Sequence, residues 1–348
     1  MRTGRAVSAA AATLTGLLAA TTLNLAPAQA QAQAQAHGGV HHGGGHRCSP
    51  YVSIDRYSDA LDKTTFQGSY VGNLSALAPQ GDGRIAALSD RSKLFSLDAR
   101  THRPQRVIPL TDEEGTETDS EGLVVDHDGS YFVTSEIEPS VRHYDHDGRL
   151  LDRLPVPDEL RVAPAGRGQK NQTFEGLTLS PDGRTLTASM EGPLVEEPED
   201  SRGRQVVRFQ TWQRHGDKFE LGRQHRYPLD KDLLVSEVRA LRDGRFLVLE
   251  RGFEPGIGNT IRLYLADPRK ADAAAPMNKK LLADLGNCPS LGAQLPQPSS
   301  HPLLDNIEGM TVIGRTPDRR LRLLLVSDDN ESSKQVTRLY ECAVRVPA

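Results

Sequence analysis

Residues 173–191 read TFEGLTLSPDGRTLTASME, and a related arrangement occurs four more times along the chain. The stretch begins at an acid, continues as a short apolar strand, turns through Asp-Gly and ends in a second strand that closes on another acid. An Asp-Gly pair between alternating apolar runs is a strong hairpin signal. We therefore expect a β-hairpin with a carboxylate at each end.

The other copies align with this stretch. Three of them also turn through Asp-Gly, at Asp82, Asp128 and Asp243, whereas the last uses a longer connection. The copies are NLSALAPQGDGRIAALSDR (73–91), DSEGLVVDHDGSYFVTSE (119–136), VSEVRALRDGRFLVLER (235–251) and NIEGMTVIGRTPDRRLRLLLVSDD (306–329). A repeat of this length indicates an array of similar structural units.

Further strands extend each copy. Every hairpin is followed by a third apolar segment such as KLFSLD (93–98), and most by a fourth such as RVIPLT (106–111). Four antiparallel strands per unit are typical of a propeller blade. The sequence predicts an all-β fold, a β-propeller of five or six four-stranded blades. A sixth blade would lie in residues 51–72 or 253–305.

The last copy lacks a fourth strand of its own because the sequence ends at Ala348. The segment TTFQGSYVG, residues 64–72, stands before the first copy, where a fourth strand would lie. We therefore expect an N-terminal strand from this segment to complete the last blade and close the ring.

Composition supports this fold class and excludes others. The 348 residues include 31 glycines and 22 prolines, which suits many turns and is poor material for a helical bundle. Lys plus Arg is 42 and Asp plus Glu is 46, a net charge of −4, whereas a nucleic-acid binder would show a basic excess.

The N-terminus has the features of an export signal. Residues 1–30 combine a basic start, an apolar run and the small-residue site Ala28-Gln29-Ala30, so we expect a cleaved signal peptide and a secreted protein. Residues 31–50 form a linker rich in Gln and Ala and then in His and Gly, and the propeller domain spans 51–348. We expect no stable membrane span in the mature chain.

The repeated acids predict a site. In a propeller, the start of each first strand and the end of each second strand lie near the axis on one face, so these carboxylates should converge at one channel mouth. Such a cluster needs a compensating cation, and Ca²⁺ prefers carboxylate and carbonyl oxygens. The expected metal ligands are Glu121, Glu136, Glu175, Glu191, Glu237, Glu250, Glu308, Asp328 and Asp90.

Arginines flank these acids. Arg91, Arg239 and Arg251 are expected to bind substrate, because guanidinium groups suit the planar capture of phosphate or carboxylate. A structural role for the acids stays open, since each could instead pair with an arginine or accept backbone N–H groups that hold a hairpin.

An exported chain can form a disulfide, and the three cysteines are Cys48, Cys288 and Cys342. Cys342 ends a third strand, and Cys48 precedes the segment expected to close the same blade. The preferred pair is therefore Cys48–Cys342, with Cys48–Cys288 as the alternative.

The SEGL, FEGL and IEGM starts, the SDR, TSE, SME and SDDN ends and the closing TRLYE strand together resemble the phytase-like family, described by the phrase "esterase-like activity of phytase". The resemblance covers about residues 66–345. It implies a secreted β-propeller with phosphoesterase activity. The first copy departs from the pattern with Ser-Ala-Leu and the fourth with Ser-Glu-Val, so equal roles for all blades are not expected.

These observations lead to three functional hypotheses. The first is a Ca²⁺-dependent phosphoesterase or ester hydrolase, acting as a monomer on a small-molecule phosphoester or ester. The second is a calcium-dependent lactonase, and the third is a non-catalytic extracellular binding or scaffold propeller. The nine acids and three arginines named above are the residues on which the first hypothesis depends.

Overall fold

A computed structural model of the chain describes residues 46–271 and 275–348. The predicted signal peptide and most of the predicted linker lie outside these residues. The described part contains three short 3₁₀ helices, Asp158–Leu160, Pro268–Lys270 and Leu285–Asn287. No helix in the described ranges is long and apolar enough to cross a membrane.

The strands, in chain order, are β1 (Val52–Ser58), β2 (Thr65–Phe66), β3 (Ser69–Tyr70), β4 (Leu74–Gly81), β5 (Arg84–Ser89), β6 (Lys93–Asp98), β7 (Pro104–Pro109), β8 (Ser120–Val125), β9 (Tyr131–Ser135), β10 (Ser140–Tyr144), β11 (Leu150–Arg153), β12 (Phe174–Leu179), β13 (Thr185–Met190), β14 (Val206–His215), β15 (Lys218–Pro228), β16 (Leu234–Ala240), β17 (Phe246–Glu254), β18 (Gly258–Asp267), β19 (Asn278–Asp284), β20 (Asn306–Arg315), β21 (Leu321–Asp328) and β22 (Leu339–Val344).

These strands form five antiparallel four-stranded sheets, which are the blades of a β-propeller. Blades 1 to 4 are β4–β7, β8–β11, β12–β15 and β16–β19, each in chain order. Blade 5 has the order β1-β22-β21-β20. The prediction of a four-stranded propeller is confirmed, and the number of blades across the described residues is five.

The ring is closed by an N-terminal strand, as predicted, but the segment is different. Strand β1 pairs with β22, with Val52 opposite Val344 and Ile54 opposite Cys342. Residues 64–72 instead contain the small hairpin β2-β3. The expected location was wrong because residues 52–58, which precede that segment in the chain, supply the strand. The described residues of the two segments proposed for a sixth blade contain β1, this hairpin, parts of blade 4, two of the 3₁₀ helices and loops, and they form no further four-stranded sheet.

Glycines explain why the E-G-L pattern recurs. A Cβ atom on Gly122 would lie 2.4 Å from the carbonyl oxygen of Glu175 in the next blade, and one on Gly176 would lie 2.7 Å from the nitrogen of Val238. The innermost strands of neighbouring blades therefore approach so closely that no side chain fits between them at these points. Glycine has a second role in the Asp82-Gly83 turn, where both residues have positive φ, 48° and 71°, as this type of hairpin turn requires.

The disulfide joins Cys48 to Cys288, with their Cα atoms 4.1 Å apart, and the preferred pair Cys48–Cys342 was wrong. The pairing of β1 with β22 places Ile54 opposite Cys342, so Cys48 lies beyond the end of that ladder. The hydroxyl of Ser49 donates to the carbonyl of Leu282 in β19 at 2.6 Å, which brings this segment against blade 4. Cys342 is a buried free thiol in the core shared by blades 4 and 5.

Candidate metal centre

The propeller channel opens on one face into a polar cavity of about 220 Å³. We call it the acidic mouth. It lies where the five first strands begin and the second strands end. Its lining residues are Ser75, Asp90, Asp119, Glu121, Glu136, Asn171, Glu175, Glu191, Arg251, Glu308, Asp328 and Asn330.

Seven of the nine predicted ligands meet there: Asp90, Glu121, Glu136, Glu175, Glu191, Glu308 and Asp328. A β-bulge in each first strand helps to bring them together. The strand register shifts at this level in all five blades, leaving residues such as Ser75 and Glu308 opposite no partner. Bulges re-aim a side chain in this way, and here they occur at the rim of the channel.

Blade 4 does not contribute the two acids expected from it. Its ladder pairs Val235 with Glu250, whereas blade 5 pairs Ile307 with Ser327 and blade 1 pairs Leu74 with Ser89. The blade 4 residues equivalent to the acids are therefore Ser236 and Arg251, each one position away from the predicted Glu237 and Glu250. A shift of one residue moves a side chain to the other face of a strand.

A signal for this offset is present in the sequence. The two residues of each pair, Ser75 and Asp90 in the first copy and two acids in the others, are separated by 15 or 16 residues in the first three copies but by only 13 for Glu237 and Glu250. The pair Ser236 and Arg251 restores a separation of 15. The prediction was wrong for blade 4 because Ser236-Glu237 resembles Ser120-Glu121 of the second copy but lies one residue out of register with it.

Glu250 instead belongs to a buried cluster between blades 3 and 4. Its carboxylate accepts the hydroxyl of Tyr227 at 2.6 Å and the backbone N–H of Asp230 at 3.1 Å. It also forms an ion pair with Lys279, whose side chain is almost completely buried. These partners satisfy Glu250, so it is not a candidate ligand.

Glu237 and Arg239 form a second buried unit on the channel axis, which we call the axial plug. Their side chains pair at 3.1 Å, and Glu237 also accepts the N–H of Val238 at 2.9 Å. The guanidinium donates to four carbonyls at equivalent positions of the other four blades, those of Leu77, Leu123, Leu177 and Met310. Arg239 thus ties the five first strands together. The prediction that it lies beside the acids and binds substrate placed it at the acidic mouth, which it does not face.

The other two predicted arginines differ from each other. Arg251 lies inside the acidic mouth, 3.1 Å from Glu191, 3.3 Å from Glu308 and 3.9 Å from Glu175. Arg91 is more than half exposed and lies 3.6 Å from Asp90, outside the cavity lining. Arg251 therefore balances the charge of the acids on one side of the acidic mouth, which are Glu175, Glu191 and Glu308.

The other half holds a tight group of carboxylates that sequence reasoning only partly identified. Single ligand oxygens of Asp119, Glu121 and Glu136 all lie within 4.8 Å of one another. None of the three forms an ion pair with a residue in the described ranges. Asp119 was missed, together with Asn171 and Asn330, because only the strand termini were considered; its position two residues before Glu121 was the available signal.

The electrostatics show how costly this arrangement is without a cation. Burial, with the charge of Asp328, raises the pKa of Asp90 to about 7. Burial and Glu191 raise the pKa of Glu136 to about 8. Burial raises the pKa of Glu308 to about 7 even though Arg251 opposes the shift. Burial and neighbouring acids also raise the pKa values of Glu121, Glu175 and Asp328 well above their ordinary values.

Two buried oxygens in the lining have no hydrogen-bond partner in the described part of the chain, the hydroxyl of Ser75 and Oδ1 of Asp90. Buried polar atoms are rarely left without a partner. The Ser75 hydroxyl and the eight lining carboxylates, Asp90 among them, form an all-oxygen donor set, which suits a hard divalent cation such as Ca²⁺. The residues present therefore fit a metal ion.

Comparisons with known proteins bear on the family. An uncharacterized secreted protein of Arthroderma benhamiae is 30% identical over 101 residues, a match that covers 22% of this chain and 20% of that protein. The chain thus spans about a fifth of that relative.

Two solved structures share parts of the fold. A protein assigned as a gluconolactonase superposes with a TM-score of 0.42 at 13% identity, over 80% of this chain and 77% of that one. U3-55K superposes with a TM-score of 0.38 at 12% identity, over 77% of this chain and 61% of that one. Neither likeness supports an inference about activity. The model of the phytase-like family, described as "Esterase-like activity of phytase", matches residues 69–331, and this chain belongs to that family.

Proposed function

We propose that this protein is an exported, calcium-dependent phosphoester hydrolase whose metal is held in the acidic mouth. The observation that carries the proposal is the group formed by Asp119, Glu121 and Glu136, three neighbouring carboxylates without an ion-pair partner in the described ranges. The phosphoester class comes from the family to which the chain belongs. Export is supported by the Cys48–Cys288 disulfide, since such bonds persist in oxidising compartments.

Asp119, Glu121 and Glu136 would hold the cation, with Asp90 and Ser75 as further oxygen donors. Bound there, calcium would neutralise the carboxylates, polarise a phosphoryl oxygen and acidify a coordinated water. The carboxylates alone would repel a phosphoester, so the cation is required for substrate to approach. This requirement makes the activity sensitive to chelators.

Arg251 and the remaining acids have separate tasks. The Nε–H group of Arg251 has no acceptor within the described residues and can donate to a substrate oxygen. Glu191 and Glu308 hold its guanidinium in place at 3.1 and 3.3 Å.

Calcium binding is coupled to proton release in this proposal. The raised pKa values of Asp90, Glu136 and Glu308 mean that the metal-free mouth retains protons at neutral pH. A cation displaces these protons, so calcium affinity should rise between pH 6 and pH 8. Calorimetric titrations in two buffers of different ionisation enthalpy would measure the release. An affinity independent of pH would contradict this assignment.

The activity test uses a phosphomonoester, a phosphodiester and a lactone, each with calcium or with chelator. We expect calcium-dependent phosphomonoester hydrolysis that is lost in Glu121→Gln. Glu138→Gln is the matched control, because Glu138 lies close in sequence to Glu136 but is exposed and pairs with Arg142 at 3.0 Å. Hydrolysis of the lactone alone would support a lactonase. Calcium binding without turnover of any substrate would support a binding propeller.

A further inference from the structure

The channel has a second opening, at the ends of the first strands, which we call the apolar mouth. It is a cavity of about 590 Å³. Residues from all five blades line it, including Pro79, Val125, Leu179, Leu241 and Ile313. Small-molecule sites have volumes of roughly 300–1,000 Å³ and mostly apolar walls, so the size and lining are those of a ligand pocket.

The axial plug separates this cavity from the acidic mouth. Arg239 is among the lining residues, but its guanidinium already donates to four carbonyls and to Glu237. A guanidinium has five N–H donors, and these five contacts use them all. Arg239 therefore has no free N–H to offer a ligand at the inner end of the apolar mouth.

The outer rim carries positive charge instead. Arg242 and Arg315 line the cavity, and both are exposed at the hairpins that follow the first strands of blades 4 and 5. The acids of these hairpins are already engaged, since Asp243 pairs with Arg245 at 2.6 Å and Asp318 with Arg320 at 2.8 Å. Neither Arg242 nor Arg315 forms an ion pair within residues 46–271 and 275–348.

A basic groove of about 330 Å³ continues from this rim. It shares Leu241, Arg242, Arg315 and Leu321 with the apolar mouth and adds Arg319 and Arg345. An apolar cavity therefore leads directly into a surface rich in guanidinium groups.

We propose that the apolar mouth binds a small amphipathic anion, with its apolar body in the cavity and its acidic group on Arg242 and Arg315. The planar guanidinium fork pairs well with carboxylate, phosphate or sulfate oxygens. The apolar walls provide the driving force for the rest of the molecule. This site lies at the opposite end of the channel from the acidic mouth, so it requires neither calcium nor the proposed hydrolase activity.

The first experiment uses two fluorescent probes, 8-anilinonaphthalene-1-sulfonate and its neutral analogue N-phenyl-1-naphthylamine, with the full chain. We expect saturable binding of one equivalent of each, tighter for the sulfonate. In the double variant Arg242→Gln, Arg315→Gln, the sulfonate should bind about tenfold more weakly, the scale of a lost charged hydrogen bond, while the neutral probe is unaffected. Arg319→Gln is the matched control. It should leave the affinity for both probes unchanged, because Arg319 lines the basic groove but not the apolar mouth.

A second variant tests the cavity itself. Leu179→Trp adds bulk to a wall that carries no arginine, and it should abolish binding of both probes while urea unfolding stays cooperative. Addition of calcium or chelator should change neither affinity.

Competition of the sulfonate probe with decanoate, decyl phosphate and decanol then distinguishes the source of the acidic group. Displacement by either anion at lower concentrations than by decanol supports the proposal, and the stronger anion identifies the headgroup, whereas equal displacement by decanol would contradict the role of the arginines. Non-saturable fluorescence, equal loss of both probes in the arginine variant, or unchanged binding in Leu179→Trp would each overturn it.

Discussion

The two ends of the channel are built from the same five strands and have opposite chemistry. At the starts of these strands eight carboxylates surround one guanidinium, Arg251, in a cavity of about 220 Å³. At their ends apolar side chains surround a cavity of about 590 Å³ with Arg242 and Arg315 at its rim. The axial plug of Glu237 and Arg239 lies between them.

The difference traces to one blade. Blades 1, 2, 3 and 5 have glycine or alanine at the position equivalent to Glu237 and an acid at the position equivalent to Arg251. Blade 4 therefore supplies both the plug and the one guanidinium inside the acidic mouth. A propeller whose five blades all followed the pattern of blades 1, 2, 3 and 5 would have neither a division of its channel nor a cation among its acids.

The largest expected effect comes from breaking the plug. Arg239→Met leaves the buried carboxylate of Glu237 without its partner, so we expect a loss of about 3–5 kcal/mol in the free energy of unfolding. The double variant Glu237→Gly, Arg239→Thr copies the Gly176 and Thr178 of blade 3 and should recover part of this loss, because no buried charge remains. Urea denaturation measures both, and equal losses in the two variants would show that the ion pair is not the cause.

The next effect compares Glu121 and Glu250, two glutamates that were both predicted as metal ligands. Calcium at a hundred times its Kd should stabilise the wild-type protein by about 2.7 kcal/mol. Glu121→Gln should reduce this shift strongly. Glu250→Gln should keep it, although the variant is less stable with or without calcium because Tyr227 and Lys279 lose the charge of Glu250, even though Lys279 keeps its ion pair with Asp230 at 2.8 Å. Thermal melts of the three proteins with calcium and with chelator measure this stabilisation. An equal calcium-dependent shift in melting temperature in all three would show that Glu121 is not a calcium ligand.

A smaller effect concerns pH. A carboxyl group whose pKa is raised by folding holds its proton in the folded protein at pH values where the unfolded chain has already lost it. Folding stability therefore falls as pH rises from about 4.5 towards 8. Asp90 and Glu308, with pKa values of about 7, and Glu136, at about 8, set this range. The melting temperature of the chelated protein should therefore decrease from pH 5 to pH 8, and calcium should suppress the decrease. A rise over this interval would contradict the pKa shifts.

The smallest effect isolates Ser75. Its buried hydroxyl has no partner in the described ranges, so Ser75→Ala should change the metal-free stability by less than about 1 kcal/mol. If the hydroxyl is a calcium donor, affinity should fall by about threefold to tenfold, the scale of one polar contact. Calorimetric titration gives this value, and unchanged affinity would place Ser75 outside the metal's contacts.

Much of the fold follows from local patterns. The Asp-Gly turns, the alternating strands and the five-fold repeat predicted a four-stranded propeller, because each feature depends on residues close together in the chain. The closing strand was misplaced, since residues 52–58 pair only with β22 at the other end of the chain. The disulfide was misassigned for the same reason, because the position of Cys48 depends on where that ladder ends.

The candidate site also has some features that local sequence predicts and others that depend on contacts between distant residues. Acids at the strand termini identified seven lining residues, since the start of each first strand and the end of each second strand lie at the same channel mouth of a propeller. The partners of Glu250 come from other strands, Tyr227 from β15 and Lys279 from β19, and the sequence signals the register of blade 4 only through the short separation of 13 residues between Glu237 and Glu250. A hairpin specifies its own turn from local residues. Which carboxylates remain without a partner is set by the packing of all five blades around Arg239, and that packing exists only in the folded ring.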